Sequence, residues 1–155
     1  MRLQLISVGS KEPGWVSVAL QDYVKRLPAD WALTIREIPL ARRHKNSSIT
    51  AAKDDEAKRL LKCFQGNDYV IALDARGKQY DSKEFSAKLA KLRGEKFDIS
   101  FLVGGPDGLS QAILDHANEI WSLSKLTFPH QLARLVLIEQ IYRSWAILSR
   151  HPYHK

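Results

Sequence analysis

The sequence predicts an α/β fold in a single domain, residues 1–155, built on a mainly parallel sheet. Short apolar runs rich in β-branched residues recur along the chain and are typical of buried strands. Between them lie stretches whose apolar residues repeat every three or four positions, as in amphipathic helices. A chain of 155 residues with 45% apolar residues is long enough for one such core. Alternating strands and helices favour parallel pairing, because each helix carries the chain back to the same end of the sheet.

The first half of the chain is predicted to form two strands and two helices. Leu3–Val8 is an apolar run that ends at a glycine, which favours a strand buried on both faces. A helix is predicted over Trp15–Arg26, where apolar residues recur at helical spacing and a following proline prevents continuation. Leu33–Ile38 is predicted to be the second strand. Ser48 is a suitable N-cap for a polar helix over Ile49–Phe64.

The second half is predicted to add three strands and three helices. The strands are Tyr69–Leu73, Phe97–Val103 and the short Trp121–Leu123. Asp81 and Glu84 form a capping-box pair at the start of a helix that ends near Gly94. The other two helices are predicted over Ser110–Asn118 and Pro129–Ser149.

The last predicted helix is apolar around nearly its whole circumference. Such a helix must be buried on more than one side, and a chain of this length has few other elements to cover it. We therefore expect a homodimer in which these helices pack on each other about a two-fold axis. Ile141 and Trp145 are expected in that interface, where a charged substitution would separate the subunits.

The composition excludes several classes of protein. The single cysteine, Cys63, cannot form an internal disulfide, and no Cys/His spacing resembles a zinc site. No apolar stretch is long or uniform enough to predict a signal sequence or a membrane span. We expect a cytoplasmic protein with no metal and no membrane partner.

The net charge of +7 is unevenly distributed along the chain. Residues 1–65 and 129–155 carry the basic excess, whereas residues 66–128 are nearly neutral. This distribution favours a chain whose middle holds a small molecule and whose periphery meets nucleic acid; a surface with spare lysines is the alternative. The densest basic cluster lies in a predicted loop, either as a contact surface or as an ordinary solvated segment. It consists of Arg42, Arg43, His44 and Lys45.

Two segments are candidates for a ligand site. Gly104–Gly108 (GGPDG) directly follows a buried strand, where open α/β sheets bind ligands, although a simple tight turn has the same composition. It matches neither the P-loop nor the dinucleotide-binding glycine pattern. The run 121–130 (WSLSKLTFPH) places small polar residues between apolar ones. Its backbone could read an adenine edge while leucines cover the ring faces; a buried connector is the alternative.

Several motifs together resemble the RlmH family of SPOUT methyltransferases in order, spacing and total length. They are LQLISVGSKEPGW at 3–15, LVGGPDGLS at 102–110, WSLSKLTFPHQLARL at 121–135, IYRSW at 141–145 and HPYHK at 151–155. The resemblance implies a dimeric α/β protein with a C-terminal trefoil knot. It also implies transfer of a methyl group from S-adenosylmethionine to N3 of a pseudouridine in 23S rRNA of the large subunit. We expect the assembled ribosome to be the substrate, since so small a domain can specify few bases.

The resemblance further implies which residues hold the cofactor. They are Leu73 at a strand end, Gly104 and Gly105 in the glycine turn, and the run Leu123, Ser124, Lys125, Leu126, Thr127 and Phe128. Lys125 is expected to contribute backbone contacts, so that its charge need not matter. Bulk introduced at Gly105 or Thr127 should then enter the pocket.

Methylation of an imide nitrogen requires loss of its proton, so a base, or a cation that stabilises the anionic ring, is needed. The catalytic candidates are His151, Tyr153 and His154 in the C-terminal tail and Arg134 and Arg143 in the last helix, with His130 as a further histidine able to titrate near neutrality. The tail is either disordered, as chain ends often are, or an ordered segment that faces the substrate.

Two other functions stay open on the sequence. A non-enzymatic ribosome- or RNA-binding factor would explain the charge without a cofactor pocket, and an assay of labelled methyl transfer separates it from the enzyme. A flavodoxin-like nucleotide-binding enzyme is disfavoured, because segment 9–13 after the first strand is too polar and too poor in glycine for a phosphate loop. Absorbance of the purified protein would reveal a flavin.

Overall fold

The computed structural model describes residues 1–9, 13–46 and 48–155, except for the side chain of His154. The described residues form five strands and five α-helices. In chain order these are β1 (Leu3–Val8), α1 (Gly14–Arg26), β2 (Leu33–Ile38), α2 (Ile49–Leu61), β3 (Asp68–Gln79), α3 (Ser82–Gly94), β4 (Asp98–Val103), α4 (Gln111–His116), β5 (Glu119–Ser122) and α5 (His130–Leu148). Short 3-10 turns lie at Ala29–Trp31 and Pro152–His154.

The five strands form one parallel sheet in the order β2-β1-β4-β3-β5. Ser7, Val103, Leu73 and Trp121 lie side by side in one row across four neighbouring strands. The predicted α/β class with a parallel sheet is therefore confirmed. Because the strands run in the same direction, the residues that follow this row meet at one edge of the sheet, the carboxyl edge.

Helices cover the sheet on both faces. Side chains such as Leu5 and Phe101 pack against α1, α3 and α5, whereas their neighbours Ile6 and Leu102 pack against α2 and α4. The alternation follows from the two-residue period of a strand, which sends successive side chains to opposite faces. The residues of β1 are therefore apolar on both faces because helices cover the sheet on both sides.

Two of the predicted helix starts are confirmed by capping hydrogen bonds. The Ser48 hydroxyl accepts a hydrogen bond from the Ala51 amide at 3.0 Å, and Asp81 and Glu84 form a complete capping box. The second helix ends at Leu61, three residues before the predicted end. The Cys63 amide there donates to the Leu60 carbonyl, three residues earlier, at 2.9 Å. A bond over three residues forms a 3-10 turn, which ends the α-helix.

The third strand is longer than predicted. It continues from Leu73 to Gln79 through a register shift, so that Leu73 and Lys78 both pair with Trp121 of β5. Gly77 makes this possible: a Cβ on it would lie 2.5 Å from the Trp121 carbonyl carbon. The polar residues after Leu73 gave no sign of a strand, and the contact with β5 is what keeps them extended.

The last helix is buried mainly by its own chain. It packs against α1 and α3, and Ile141 is 0% exposed in a single chain. The prediction that Ile141 lies in a subunit interface is therefore wrong, because the core of the chain already covers it. Trp145 is half-buried beside Tyr142, with ring centroids 5.4 Å apart. No helix in the described part of the chain is both long and apolar enough to span a bilayer.

Replacement of Gly77 by alanine should destabilise the protein. The added Cβ would collide with main-chain atoms of β5, which cannot rotate away, and overpacking of this kind costs about 1–3 kcal/mol. The check is the free energy of unfolding in urea.

Gly94→Ala is the matched control, since nothing lies within 4 Å of the Cβ it would carry. This change in α3 should stabilise the helix slightly or leave it unchanged. Equal stability of the two variants would contradict the close crossing of β3 and β5.

Candidate functional site

A cavity of about 450 Å³ opens at the carboxyl edge of the sheet. Its walls come from the ends of β3, β4 and β5 and from the start of α5. The lining residues are Leu73, Asp74, Ala75, Arg76, Val103, Gly104, Gly105, Gly108, Ser122, Leu123, Ser124, Leu126, Thr127, Phe128, His130 and Ala133. Its size falls within the range of small-molecule pockets.

The cavity brings together almost all of the residues expected to hold a cofactor. Leu73, both glycines at 104 and 105, and the run 123–128 line it, with the exception of Lys125. Lys125 belongs to the same run but its side chain is exposed to solvent. The two segments singled out in the sequence, which are separated by more than ten residues, thus form two walls of one pocket.

The glycine turn is held in a tight bend. The Gly108 amide donates to the Gly105 carbonyl at 3.0 Å, and Gly108 has a φ of +77°, which favours glycine. A Cβ on Gly104 would lie 2.6 Å from the Gly108 carbonyl carbon, so this position tolerates no side chain. The turn therefore presents main-chain atoms to the pocket.

Gly105 lines the pocket with its backbone only. A Cβ there would point towards side chains outside the pocket, 3.1 Å from Leu40 Cδ1 and 3.3 Å from Val8 Cγ1. The expectation that bulk at Gly105 enters the pocket is therefore corrected: the first atoms of a larger side chain would press on Leu40 and Val8.

Hydrogen bonds within the run 123–128 fix its shape. The Ser122 hydroxyl donates to the Ser124 carbonyl at 2.9 Å, and the Leu126 amide donates to the Ser124 hydroxyl at 2.9 Å. Leu126 is 72% exposed although it lines the pocket. An exposed leucine on a pocket wall offers an apolar face that a flat ligand would cover.

Asp74 and Arg76 line the pocket but were missed in the sequence. Arg76 donates to the Asp74 carboxylate from Nε and from its own amide, both at 2.9 Å. The hydrogen bond from the Arg76 side chain lowers the pKa of Asp74, so the carboxylate is ionised at neutral pH. The sequence did hold one indication of a site residue here: Asp74 directly follows a strand that was predicted to end at Leu73.

His130 lines the pocket. It is half-buried at the start of α5, and its Nε2 lies 3.6 Å from the position of a Cβ on Gly9, at the end of β1. Burial lowers the pKa of His130 below the usual 6.5, and the positive charge of Arg134 lowers it further. The imidazole is therefore neutral at pH 7 and able to accept a proton.

Arg134 is buried and is not among the residues that line the pocket. Its side chain is 0% exposed, and Nη1 donates to the Ser7 hydroxyl at 2.9 Å and to Glu37 Oε1 at 3.2 Å. The geometry gives no support to the prediction that this guanidinium touches a substrate. Its positive charge contributes, after burial, to the lowered pKa of His130.

The C-terminal tail is ordered against α1 and α5. The Tyr153 hydroxyl donates to Glu139 Oε1 at 3.0 Å and lies 2.9 Å from the Tyr23 hydroxyl. Arg143 donates to the same Glu139 oxygen from Nε at 2.9 Å and lies over the Tyr153 ring. Burial raises the pKa of Tyr153, and the bonds to Tyr23 and Glu139 raise it further.

The described residues of the tail are packed on the protein, but they give no support to the expectation that the tail faces a substrate in the pocket of its own chain. The His151 ring packs beside Trp145 with centroids 5.2 Å apart. Among the described residues that line the cavity, none comes from the tail or from Arg143. The side chain of His154 lies outside the described residues, as do residues 10–12 of the segment after β1.

A carboxylate on β5 supports the pocket from the side. Glu119 accepts hydrogen bonds from Tyr69 at 2.5 Å and from the Trp121 indole at 2.8 Å, and Lys88 forms an ion pair with it. Burial opposes ionisation of Glu119, but the bonds from Lys88, Tyr69 and Trp121 outweigh it and the pKa falls to about 2. Trp121 directly precedes the pocket residue Ser122. The bonds of Glu119 therefore fix the position at which the chain enters the pocket wall formed by residues 122–128.

Comparison with known proteins identifies the family. A family model described as "Predicted SPOUT methyltransferase" matches residues 1–154. The chain belongs to the SPOUT methyltransferase family.

Full-length relatives narrow the identification to the RlmH family and confirm the resemblance seen in the motifs. The chain is 46% identical to ribosomal RNA large subunit methyltransferase H of Hahella chejuensis, over 100% of this chain and 99% of that protein. It is 44% identical to the protein of the same name from Methylococcus capsulatus, over 100% of both chains. The corresponding protein of Polynucleobacter asymbioticus is 45% identical over 100% of this chain and 99% of its own. Family membership excludes the flavodoxin-like alternative.

Glu119→Gln should reduce stability at neutral pH and weaken its dependence on acid. A carboxyl whose pKa is lowered on folding stabilises the native state above its unfolded pKa, near 4.5, and this contribution is lost as the pH falls towards 2. The variant has no such group to protonate. Urea unfolding between pH 7 and pH 3 measures the difference.

Asp115→Asn is the control, because this exposed carboxylate accepts a hydrogen bond from Gln111 of its own helix and, among the described residues, forms no ion pair. The wild type and this control should lose stability in parallel below pH 4.5, and Glu119→Gln should lose less. Parallel loss in all three proteins would contradict the role assigned to Glu119.

Proposed function

We propose that this chain transfers a methyl group from S-adenosylmethionine to N3 of a pseudouridine in 23S rRNA. The observation that carries the proposal is the cavity at the carboxyl edge, which joins the glycine turn to the run 123–128. Its full-length relatives bear the name ribosomal RNA large subunit methyltransferase H. The acceptor nitrogen and the pseudouridine follow from the family resemblance.

The chemistry of the pocket walls fits S-adenosylmethionine. Apolar side chains of Leu73, Leu123 and Phe128 offer faces for the adenine, and the glycine turn leaves main-chain groups accessible at its edges. Asp74 and Arg76 form an ion pair on the pocket wall, so that the ionised carboxylate offers the cofactor a hydrogen-bond acceptor while the wall carries no net charge. When bound, S-adenosylmethionine supplies an electrophilic methyl group on a positively charged sulfur.

The residues of the chain have to orient the acceptor and remove its proton. The N3 proton must leave as the bond from nitrogen to the methyl carbon forms and the bond from carbon to sulfur breaks. We assign proton acceptance to His130, which lines the pocket and is neutral at pH 7. The unprotonated ring nitrogen takes the proton and later releases it to water.

The homodimer belongs to the same proposal. Trp15 and Val18 lie one turn apart on α1 and are 64% and 72% exposed, an apolar surface that a second copy would cover. His151, Tyr153 and Arg143 do not line the pocket of their own chain. We propose that they, with His154, contribute to the site of the partner subunit, where a cation or a second base would stabilise the imide anion.

The assembled ribosome is the proposed substrate. A chain of 155 residues can contact few bases, so the shape of the particle has to contribute to the choice of nucleotide. A ribosomal substrate also implies that the enzyme acts in the cytoplasm.

Purified protein should transfer labelled methyl from S-adenosylmethionine to intact ribosomes at a higher rate than to separated subunits or extracted 23S rRNA. Digestion of the product should yield N3-methylated pseudouridine. Binding to ribosomes without any transfer of label would contradict the enzyme and favour the non-enzymatic binding factor.

His130→Asn should lower the rate of methyl transfer about 100-fold or more, the usual contribution of a positioned base, with little change in cofactor affinity. Because His130 must be unprotonated to act, the wild-type rate should fall as the pH drops below the lowered pKa of the imidazole. The variant should lose this acid limb. Rates between pH 5 and pH 8 and calorimetric titration with S-adenosylmethionine provide the two measurements.

Deletion of residues 151–155 distinguishes the tail from His130. If the tail acts only by positioning, the shortened protein should be slower but should keep the acid limb. The opposite result would assign proton acceptance to the tail: His130→Asn would still lose methyl-transfer rate at low pH, and the shortened protein would not.

A further inference from the structure

The loop after β2 is built on a buried carboxylate. This basic loop, residues 39–46, donates two hydrogen bonds to Glu56 of α2: Glu56 Oε1 accepts from the Ala41 amide at 3.0 Å and from Arg43 Nη1 at 2.9 Å. Arg43 also donates to the Ala41 carbonyl at 2.8 Å. Glu56 is buried, so its bond to the Ala41 amide is shielded from water, and together these bonds hold the loop in one position.

The same loop is joined to the glycine turn of the pocket. Arg43 donates from Nε to Asp107 Oδ2 at 2.7 Å, inside the turn. Leu40 lies 3.1 Å from the Cβ position of Gly105. Arg43 thus bridges two carboxylates, and their hydrogen bonds and charges raise its pKa against the opposing effect of burial. The basic loop and the pocket turn form one connected unit.

Other cations of the loop point into solvent. Arg42 and Lys45 are exposed, and among the described residues no carboxylate forms an ion pair with either. A groove of about 450 Å³ runs between the loop and α2. Its lining residues are Pro39, Leu40, Ala41, Arg42, Ala51, Ala52, Asp55 and Arg59.

The charge and shape of this face fit an RNA strand. Unpaired guanidinium and ammonium groups neutralise phosphates, and the exposed Leu40 beside small alanines leaves room for a base. Strand order puts the basic loop, after β2, and Lys125, after β5, at opposite ends of the carboxyl edge. Four strand spacings of ~4.8 Å separate them by ~19 Å, with the pocket between, which is a span of several nucleotides.

We propose that the basic loop and its groove are the docking face for the rRNA strand that carries the acceptor nucleotide. Contacts of Arg42 and Lys45 with phosphates set the register of the strand, and the Arg43–Asp107 ion pair holds that register relative to the pocket. The inference rests on the proposed function, since it assigns a surface to the RNA of that reaction.

Charge reversal tests the docking face. The double variant Arg42→Glu/Lys45→Glu should raise the KM for ribosomes at least 10-fold and flatten the dependence of RNA binding on salt by about two units of slope, one for each lost phosphate contact. The Kd for S-adenosylmethionine should stay within twofold, because neither residue lines the pocket. Circular dichroism reports whether the variant is folded.

Lys62→Glu/Lys91→Glu is the matched control. It makes the same change in net charge at exposed positions near the C-terminal ends of α2 and α3, away from the carboxyl edge. Its KM should remain close to that of the wild type. Equal effects of the two double variants would overturn the docking face and leave only a general effect of charge.

A second measurement identifies the partner and separates this inference from the proposed function. Binding of a labelled 23S rRNA fragment around the modified site should weaken in the loop variant as ribosome binding does. Normal binding of the fragment with impaired binding of ribosomes would overturn RNA as the partner and point to a ribosomal protein. Failure of the wild type to transfer methyl would overturn the proposed function, while the binding comparison would still decide the docking face.

Asp107→Asn tests the connection between loop and pocket. Loss of the ion pair should lower kcat about 10-fold while the Kd for the RNA fragment stays within twofold, and Asp107→Glu should restore much of the rate. An unchanged kcat, or a loss of RNA affinity in place of kcat, would overturn the positioning role.

Discussion

Close main-chain contacts at the carboxyl edge of the sheet determine the shape of the pocket. Gly77 lies against the backbone of Trp121, and Gly104 lies against Gly108, both at distances that leave no space for a Cβ. The first contact folds the end of β3 onto β5, and the second bends the chain after β4. Because these strands are parallel, both contacts face the same space, which is closed on its third side by the start of α5.

Polar and charged groups held by the fold give this pocket its chemical properties. Glu119 fixes Trp121 where one wall begins, and Asp74 brings an ionised carboxylate to the opposite wall. The positive charge of the fully buried Arg134 contributes, after burial, to the lowered pKa of His130. Arg43 joins the glycine turn to the basic loop. Catalysis and substrate docking in our proposal therefore depend on charges that the fold holds in place.

The features predicted from the sequence are those that local chemistry determines. The Ser48 cap and the Asp81–Glu84 capping box depend on side chains and amides within one helical turn, and both are present. The α/β class followed from alternating periodicities. The two pocket walls were singled out because glycines directly follow a buried strand at Gly104–Gly108 and because small polar residues lie between apolar ones in the run 121–130. The individual cofactor residues came from the family resemblance, and their function as a cofactor site remains a proposal. Features set by long-range packing were missed or misjudged: the extension of β3, the side-chain direction at Gly105 and the burial of Ile141 within its own chain.

The central claim is that the cavity at the carboxyl edge binds S-adenosylmethionine, and amide chemical-shift mapping by NMR during titration with the cofactor tests it most directly. We predict saturable shifts concentrated in residues 73–76, 104–108 and 122–128, with His130 affected and the amides of α2 beyond its first turn unchanged. Shifts centred on the groove between the basic loop and α2, or no saturable shifts at millimolar cofactor, would contradict the assignment of this pocket.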